Sequence, residues 1–187
     1  MTKKVIIITL VIVILALLCV FAYFQYQKYS YPCRYSEYVE KYSSEYSVPK
    51  ELIYSVIRTE SGFDEKALSK AGAEGLMQLM PSTVEWLCRL MEIEEKQYDL
   101  KDPDVNIMFG TYYLKHLYDR FGSWDTAIAA YNAGHGRVKG WLADTRYSDD
   151  SVHLKDIPIE ETKNYVSKVL KAWDKYKSIY GDSKKGQ

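Results

Sequence analysis

The chain has 187 residues, enough for one sizeable domain and an appendage. Lys plus Arg and Asp plus Glu each number 25, so no net field draws it to nucleic acid or to an anionic bilayer. The 3 cysteines make no disulfide framework, and no Cys/His cluster has metal-ligand spacing, since His116, His135 and His153 are scattered.

Val5 to Phe24 carries no charge and, at about 20 residues, is long enough to cross a hydrocarbon core as a single-pass transmembrane anchor. Lys3 and Lys4 precede it, so the positive-inside rule places residues 1–4 in the cytoplasm and everything after Phe24 outside. A cleaved signal peptide would want a shorter apolar core and an Ala-x-Ala-like site, whereas this span runs on through Phe21, Tyr23 and Phe24. Lipidation of Cys19 would want a small residue before it, and Leu18 stands there. Residues 25–36 read as a juxtamembrane spacer. They include Cys33, whose pairing with Cys88 spacing leaves open, since a disulfide is decided by geometry.

Residues 37–180 read as the outer domain. Ser36 to Tyr46 forms a first helix, and Pro49 suits the first turn of a second. In the second, Leu52, Ile53, Val56 and Ile57 make the inward stripe, and steps of three and four from them land on Glu60. Desolvating a carboxylate is costly, so an inward Glu60 should have a raised pKa and keep a proton near neutral pH, as a general acid must. The alternative is a helix-end Glu that reaches solvent. Ser69 to Pro81, rich in Gly and Ala, is a loop or small hairpin. Ser82 is the expected N-cap of a helix over Thr83 to Glu92, with Glu85 at capping-box spacing.

Pro103 opens the next helix, whose ladder Val105, Phe109, Tyr113, Leu117 and Phe121 ends at Gly122; Gly110 on it marks close packing. Trp124 to Ala133 is a short helix, and Glu160 to about Tyr180 a long one with Val166, Val169, Trp173 and Tyr176 facing in. Residues 181–187 read as a polar, flexible tail. The fold class is mainly α with strands nearly absent, and the 18 tyrosines are split between core, amphipathic surface and, in a sugar-binding domain, stacking faces.

Four segments carry chemistry: Glu60-Ser61-Gly62-Phe63; Ser69 to Pro81, which contains Gly75-Leu76-Met77-Gln78; Ala130-Tyr131-Asn132-Ala133-Gly134; and Pro158 to Val166, which contains Glu161-Thr162 and Tyr165. In this order, with Asp102-Pro103 and Asn106-Ile107 between them, they resemble the soluble lytic transglycosylase (SLT) domain of glycoside hydrolase family 23. That family is related in fold to goose-type lysozyme. The resemblance covers roughly Tyr35 to Tyr180. It implies a lysozyme-like helical domain behind one transmembrane helix, no cofactor, no metal, and peptidoglycan glycan strands as partner.

By residue, the resemblance makes Glu60 the catalytic carboxylate, with Ser61 helping to hold the sugar or the acid. Met77 and Gln78 would contact glycan from a glycine-lined turn. Tyr131 and Asn132 would face them, with the Asn132 amide toward an N-acetyl group. Glu161 and Tyr165 would close the far side, the Tyr165 hydroxyl bonding Glu60. The bland readings are a core Tyr131, a gap-filling Met77 and a Glu161 that only complements the helix dipole. Glycosidases ordinarily use two carboxylates, but the nearby Asp64, Glu65 and Glu74 all fall in solvated sequence. A lone Glu60 would act first as acid and then as base; that it closes a 1,6-anhydro ring on N-acetylmuramic acid without water is what the resemblance implies. The alternatives are a muramidase-type hydrolase and a non-catalytic glycan-binding or assembly anchor.

Overall fold

The computed structural model describes residues 2–94 and 96–181. The chain divides into two compact units, Met1–Cys33 and Arg34–Gln187. The first contains one helix, α1 (Lys3–Ser30). Its Ile, Val, Leu and Phe side chains are exposed on every side, and by length and composition it is able to cross a membrane. The helix does not stop at the apolar limit Phe24. It runs on through the first half of the expected spacer because no Pro or Gly occurs before Pro32.

The second unit is helical, with α2 (Ser36–Tyr46), α3 (Lys50–Glu60), α4 (Pro81–Leu90), α5 (Pro103–Phe121), α6 (Trp124–Ala133), α7 (His135–Leu142) and α8 (Glu160–Tyr180). Its main packing pairs are α3 on α8, α5 on α6 and α2, and α6 on α8. The stripe Leu52, Ile53, Val56 and Ile57 of α3 is fully buried, each side chain being worth about 1.5–3 kcal/mol relative to exposure. Tyr54 of α3 stacks on Tyr176 of α8 with ring centroids 5.5 Å apart, holding the two helices together near their core. The α5 ladder is buried at Phe109, Tyr113, Leu117 and Phe121, and Gly122 ends it in the left-handed region at φ 72°. No strand forms among the described residues. The expected hairpin is a loop held by single antiparallel bridges from Glu74 to Leu68 and to Leu79.

Three helix ends differ from expectation. Pro49 occupies the cap position before α3 rather than its first turn. The next helix begins at Pro81, with extended Met80 as cap and Ser82 already inside the first turn. Proline supplies a helical φ and has no N–H to satisfy, so a hydroxyl cap one residue later is superfluous. The same helix ends at Leu90 instead of Glu92, which turns left-handed at φ 54°. Helix α7 was not expected at all, since Gly136 and Gly140 weaken its propensity. Burial of Val138, Trp141 and Leu142 accounts for it. Of the flexible-tail expectation, residues 182–187 lie outside the described residues.

Candidate active site

Glu60 is the last residue of α3, and the chain turns away at once through Gly62 at φ 61° and Phe63 at φ 70°. Two consecutive left-handed residues are strained unless held, and Phe63 is not a glycine. The Ser61 hydroxyl oxygen holds them. It accepts from the Phe63 N–H at 3.1 Å, and its proton is donated between the carbonyls of Leu76 at 2.8 Å and Ile57 at 3.1 Å. Ser61 therefore ties the acid-bearing helix end to the Gly75 turn, and its oxygen is already engaged by backbone.

The Glu60 carboxyl is half-buried. Burial pushes its pKa up to about 7, and the neighbouring Tyr165 hydroxyl, which favours the charged form, offsets only part of that. Its place in the last turn of α3 acts with burial, because free carbonyls there disfavour an anion. No cation and no second carboxylate bears on it among the described residues. The three nearby acids are occupied elsewhere. Asp64 accepts from the Lys66 N–H, Glu65 accepts from the Tyr35 hydroxyl at 3.0 Å, and Glu74 lies 3.9 Å from the Lys101 ammonium.

Opposite α3, one residue organises the Gly75 turn. Asn106 of α5 is fully buried and its side chain makes three hydrogen bonds, two of them into that turn. Its Oδ1 accepts from the Met77 N–H at 2.7 Å, while its Nδ2 donates to the carbonyls of Leu100 at 2.7 Å and Glu74 at 3.0 Å. Gly75 (φ 75°) is required on two counts, since a Cβ there would also strike Asn106 and the Leu100 carbonyl. The Gln78 amide nitrogen donates back to the Gly75 carbonyl at 2.9 Å and to that of Ala67 at 3.3 Å, closing the turn.

Met77 departs from the expected glycan contact. It is fully buried, with its thioether against Gly110 of α5, where any Cβ would collide with it. The reason is the Asn106 clamp, which anchors the Met77 N–H and so aims the side chain into the α5 face. Its carbonyl instead accepts from the Tyr131 hydroxyl at 2.8 Å.

From α6 and α8 come the remaining residues. Tyr131 and Tyr165 have hydroxyl pKa values raised well above normal, by burial first and then by the Glu60 charge. The Tyr165 hydroxyl is buried beside Glu60 without a hydrogen bond of normal geometry. Asn132 is exposed, and its Oδ1 accepts from the buried Thr162 hydroxyl at 2.8 Å. Glu161 is exposed in the first turn of α8. An aromatic row leads outward from Tyr131, which lies 5.1 Å from Tyr113. Tyr113 meets the Trp86 edge at 6.0 Å, and Trp86 stacks on His135 at 5.5 Å.

The structure thus gathers Glu60, Tyr131 and Tyr165, with Ser61 and Gln78 fixing the turn beside them. Asn106 and Thr162 were absent from the residues expected to serve the site. Their signal was in the sequence, because each is a polar residue three or four positions from inward residues of its own helix: Phe109 and Gly110 for the first, Tyr165 and Val166 for the second.

Residues 37–154 match the family described as Transglycosylase SLT domain. The soluble lytic murein transglycosylase of Escherichia coli is 37% identical over 150 residues, which are 78% of this chain and 23% of that protein. The membrane-bound lytic murein transglycosylase C of Haemophilus ducreyi is 32% identical over 169 residues, covering 78% of this chain and 46% of that protein. The solved 70 kDa soluble lytic transglycosylase of Escherichia coli superimposes with a TM-score of 0.74 at 33% identity, over 83% of this chain and 26% of that one. The chain spans less than half the length of each of these relatives.

Proposed function

The chain belongs to the transglycosylase SLT domain family, and on that basis we propose that it is a membrane-anchored lytic transglycosylase of peptidoglycan. Its lysozyme-like helical unit would cut the β-1,4 bond between N-acetylmuramic acid and N-acetylglucosamine without water. The observation that carries this reading is a half-buried Glu60 whose pKa stands near 7 with no second carboxylate acting on it.

Each step follows from that carboxyl. Protonated Glu60 donates to the glycosidic oxygen as the bond to the muramyl C1 breaks, and the N-acetylglucosamine fragment leaves as an alcohol. Positive charge on the muramyl ring is met by its own N-acetyl group and by the dipoles around the Gly75 turn. Glu60, now a carboxylate, takes the proton from the muramyl 6-hydroxyl while O6 bonds C1. One proton enters, one returns, and Glu60 ends as it began. The raised pKa suits both halves, since an acid near neutral gives and takes protons at similar cost. Tyr165, buried beside the carboxyl, stabilises the intervening anion.

Helix α1 supports a reaction held at the membrane, and Lys3 and Lys4 ahead of it favour an enzyme unit on the outer side of the cell membrane. The substrate is then glycan close to the bilayer. Mass spectrometry of products released from purified sacculi tests the chemistry. We expect muropeptides ending in the 1,6-anhydro sugar, whereas products heavier by one water mean hydrolysis and overturn the proposal.

A further inference from the structure

An open cavity of about 450 Å³ lies between Arg34-Tyr35 and the loop from Gly62 to Lys66, and neither Glu60, Tyr131 nor Tyr165 lines it. We propose that this cavity takes the headgroup of a phospholipid that carries both a phosphate and an ammonium, phosphatidylethanolamine being the type. The assignment rests on the membrane-anchor reading of α1 and is independent of the chemistry at Glu60.

Charged side chains of both signs line the cavity, Arg34 and Lys66 against Asp64 and Glu65. The acids are partly committed. Glu65 accepts from the Tyr35 hydroxyl at 3.0 Å, and Oδ1 of Asp64 accepts from the Lys66 N–H at 2.9 Å, which leaves Oδ2 of Asp64 open among the described residues. The cations are not committed to an acid. Both are exposed, and among the described residues neither forms an ion pair. Arg34 instead holds its guanidinium carbon 5.6 Å from the Tyr35 ring centroid, and the Tyr35–Glu65 bond ties that ring to the loop. A guanidinium fork with a second cation in the same cavity suits a phosphate. The open Asp64 oxygen suits an ammonium. A bare phosphate would satisfy the cations and repel Asp64.

Two further observations point to a lipid rather than a soluble zwitterion. Arg34 closely follows Ser30, the last residue of α1, and residues 31–34 span about 14 Å at most. The helical residues from Gln25 to Ser30 rise about 9 Å, on the order of a headgroup layer, a level that the exposed Tyr26 and Tyr29 also suit. Leu68, 63% exposed, is the most exposed large apolar side chain among the described residues outside α1, and Lys66 and Lys70 flank it. An apolar side chain between lysines suits a bilayer surface. Gly62 and Phe63 follow Glu60-Ser61 directly, so an occupied cavity would hold the catalytic end of α3 at that surface.

The test uses the full chain in an uncharged detergent, dodecyl maltoside. Titration calorimetry compares glycerophosphoethanolamine, glycerophosphoglycerol, inorganic phosphate and a stem tripeptide ending in a diamino acid. Wild type should bind the ethanolamine compound about fivefold tighter than the glycerol compound or phosphate, the worth of one exposed ion pair. Arg34→Gln with Lys66→Gln should weaken it at least about tenfold. Asp64→Asn keeps the oxygen that accepts from the Lys66 N–H and should abolish only the preference for ethanolamine. Lys70→Gln, outside the cavity, should change neither. Native mass spectrometry of wild type released from nanodiscs of mixed phosphatidylethanolamine and phosphatidylglycerol should show one more phosphatidylethanolamine than the double variant retains. Equal binding of the three phosphate compounds overturns the proposal, as does a Lys70→Gln loss as large as the double variant's. Tighter binding of the tripeptide overturns it in favour of a peptide site, and equal lipid retention by wild type and double variant overturns the lipid assignment. Binding lost only in step with melting temperature does so too. Headgroup binding as expected, with no sugar released from sacculi, supports the cavity and counts against the transglycosylase reading alone.

Discussion

Glu60 carries an energetic asymmetry, a desolvated carboxyl, that the residues around it relieve only in part. Its carboxyl pKa near 7 means that the protonated acid persists up to about neutral pH and is lost above it. Glycan cleavage should therefore fall on the alkaline side of about pH 7, and a pH–rate profile with no alkaline limb there would contradict the assignment. Glu60→Gln removes the proton donor while keeping the shape, so product release should drop by at least about 100-fold. The folded-state pKa lies above the ordinary value, so the stability due to neutral Glu60 is full at low pH and lost as pH rises toward and through 7. At pH 8, Glu60→Gln should then unfold at higher denaturant than wild type, by on the order of 2 kcal/mol, with the difference vanishing near pH 4. Tyr165→Phe removes the one neighbour among the described residues that favours the charged carboxylate, so the alkaline limb should move to higher pH, as titration of the rate will show.

At the scale of elements, the acid is kept in place by a clamp between α5 and the Gly75 turn. Asn106→Ala would strand the Met77 N–H and the Leu100 carbonyl and leave the Glu74 carbonyl with only the Leu79 N–H, all three being engaged by one buried side chain. A loss of about 3 kcal/mol or more in denaturant unfolding is expected, with activity falling further than stability accounts for because the turn faces Glu60. Gly110→Ala pushes a methyl into Met77 and should cost about 1–3 kcal/mol, recovered in part by Met77→Ala in the same chain. Most of these helices were legible from periodicity. The ladder from Val105 to Phe121 and the span from Trp124 to Ala133 agree with the observed α5 and α6. Start signals were less faithful. Ser82 carried every local mark of a cap, yet Pro81 takes the first position, because the bridge from Glu74 to Leu79 delivers the chain already extended at Met80.

For the whole molecule, an apolar helix long enough to cross a membrane and a helical domain are joined in one chain. A chain beginning at Arg34 should leave the membrane fraction and still cleave purified sacculi, while the full chain stays with membranes after high-salt washing. Recovery of the full chain in the soluble fraction would refute the anchor. The sequence by itself determined the apolar span, the order of most helices and the inward aim of Glu60, since each follows from spacing within a few residues. It also carried the four segments that mark the family. What only the tertiary structure decided is which polar groups meet. Met77 turns inward because Asn106, 29 positions away, holds its N–H, and the Asn132 carbonyl is engaged because Thr162 arrives on a different helix. Periodicity tells which side of a helix is buried. Partners across a core are chosen by long-range packing, and a hydrogen bond of 3 Å admits no tolerance that a sequence pattern could express.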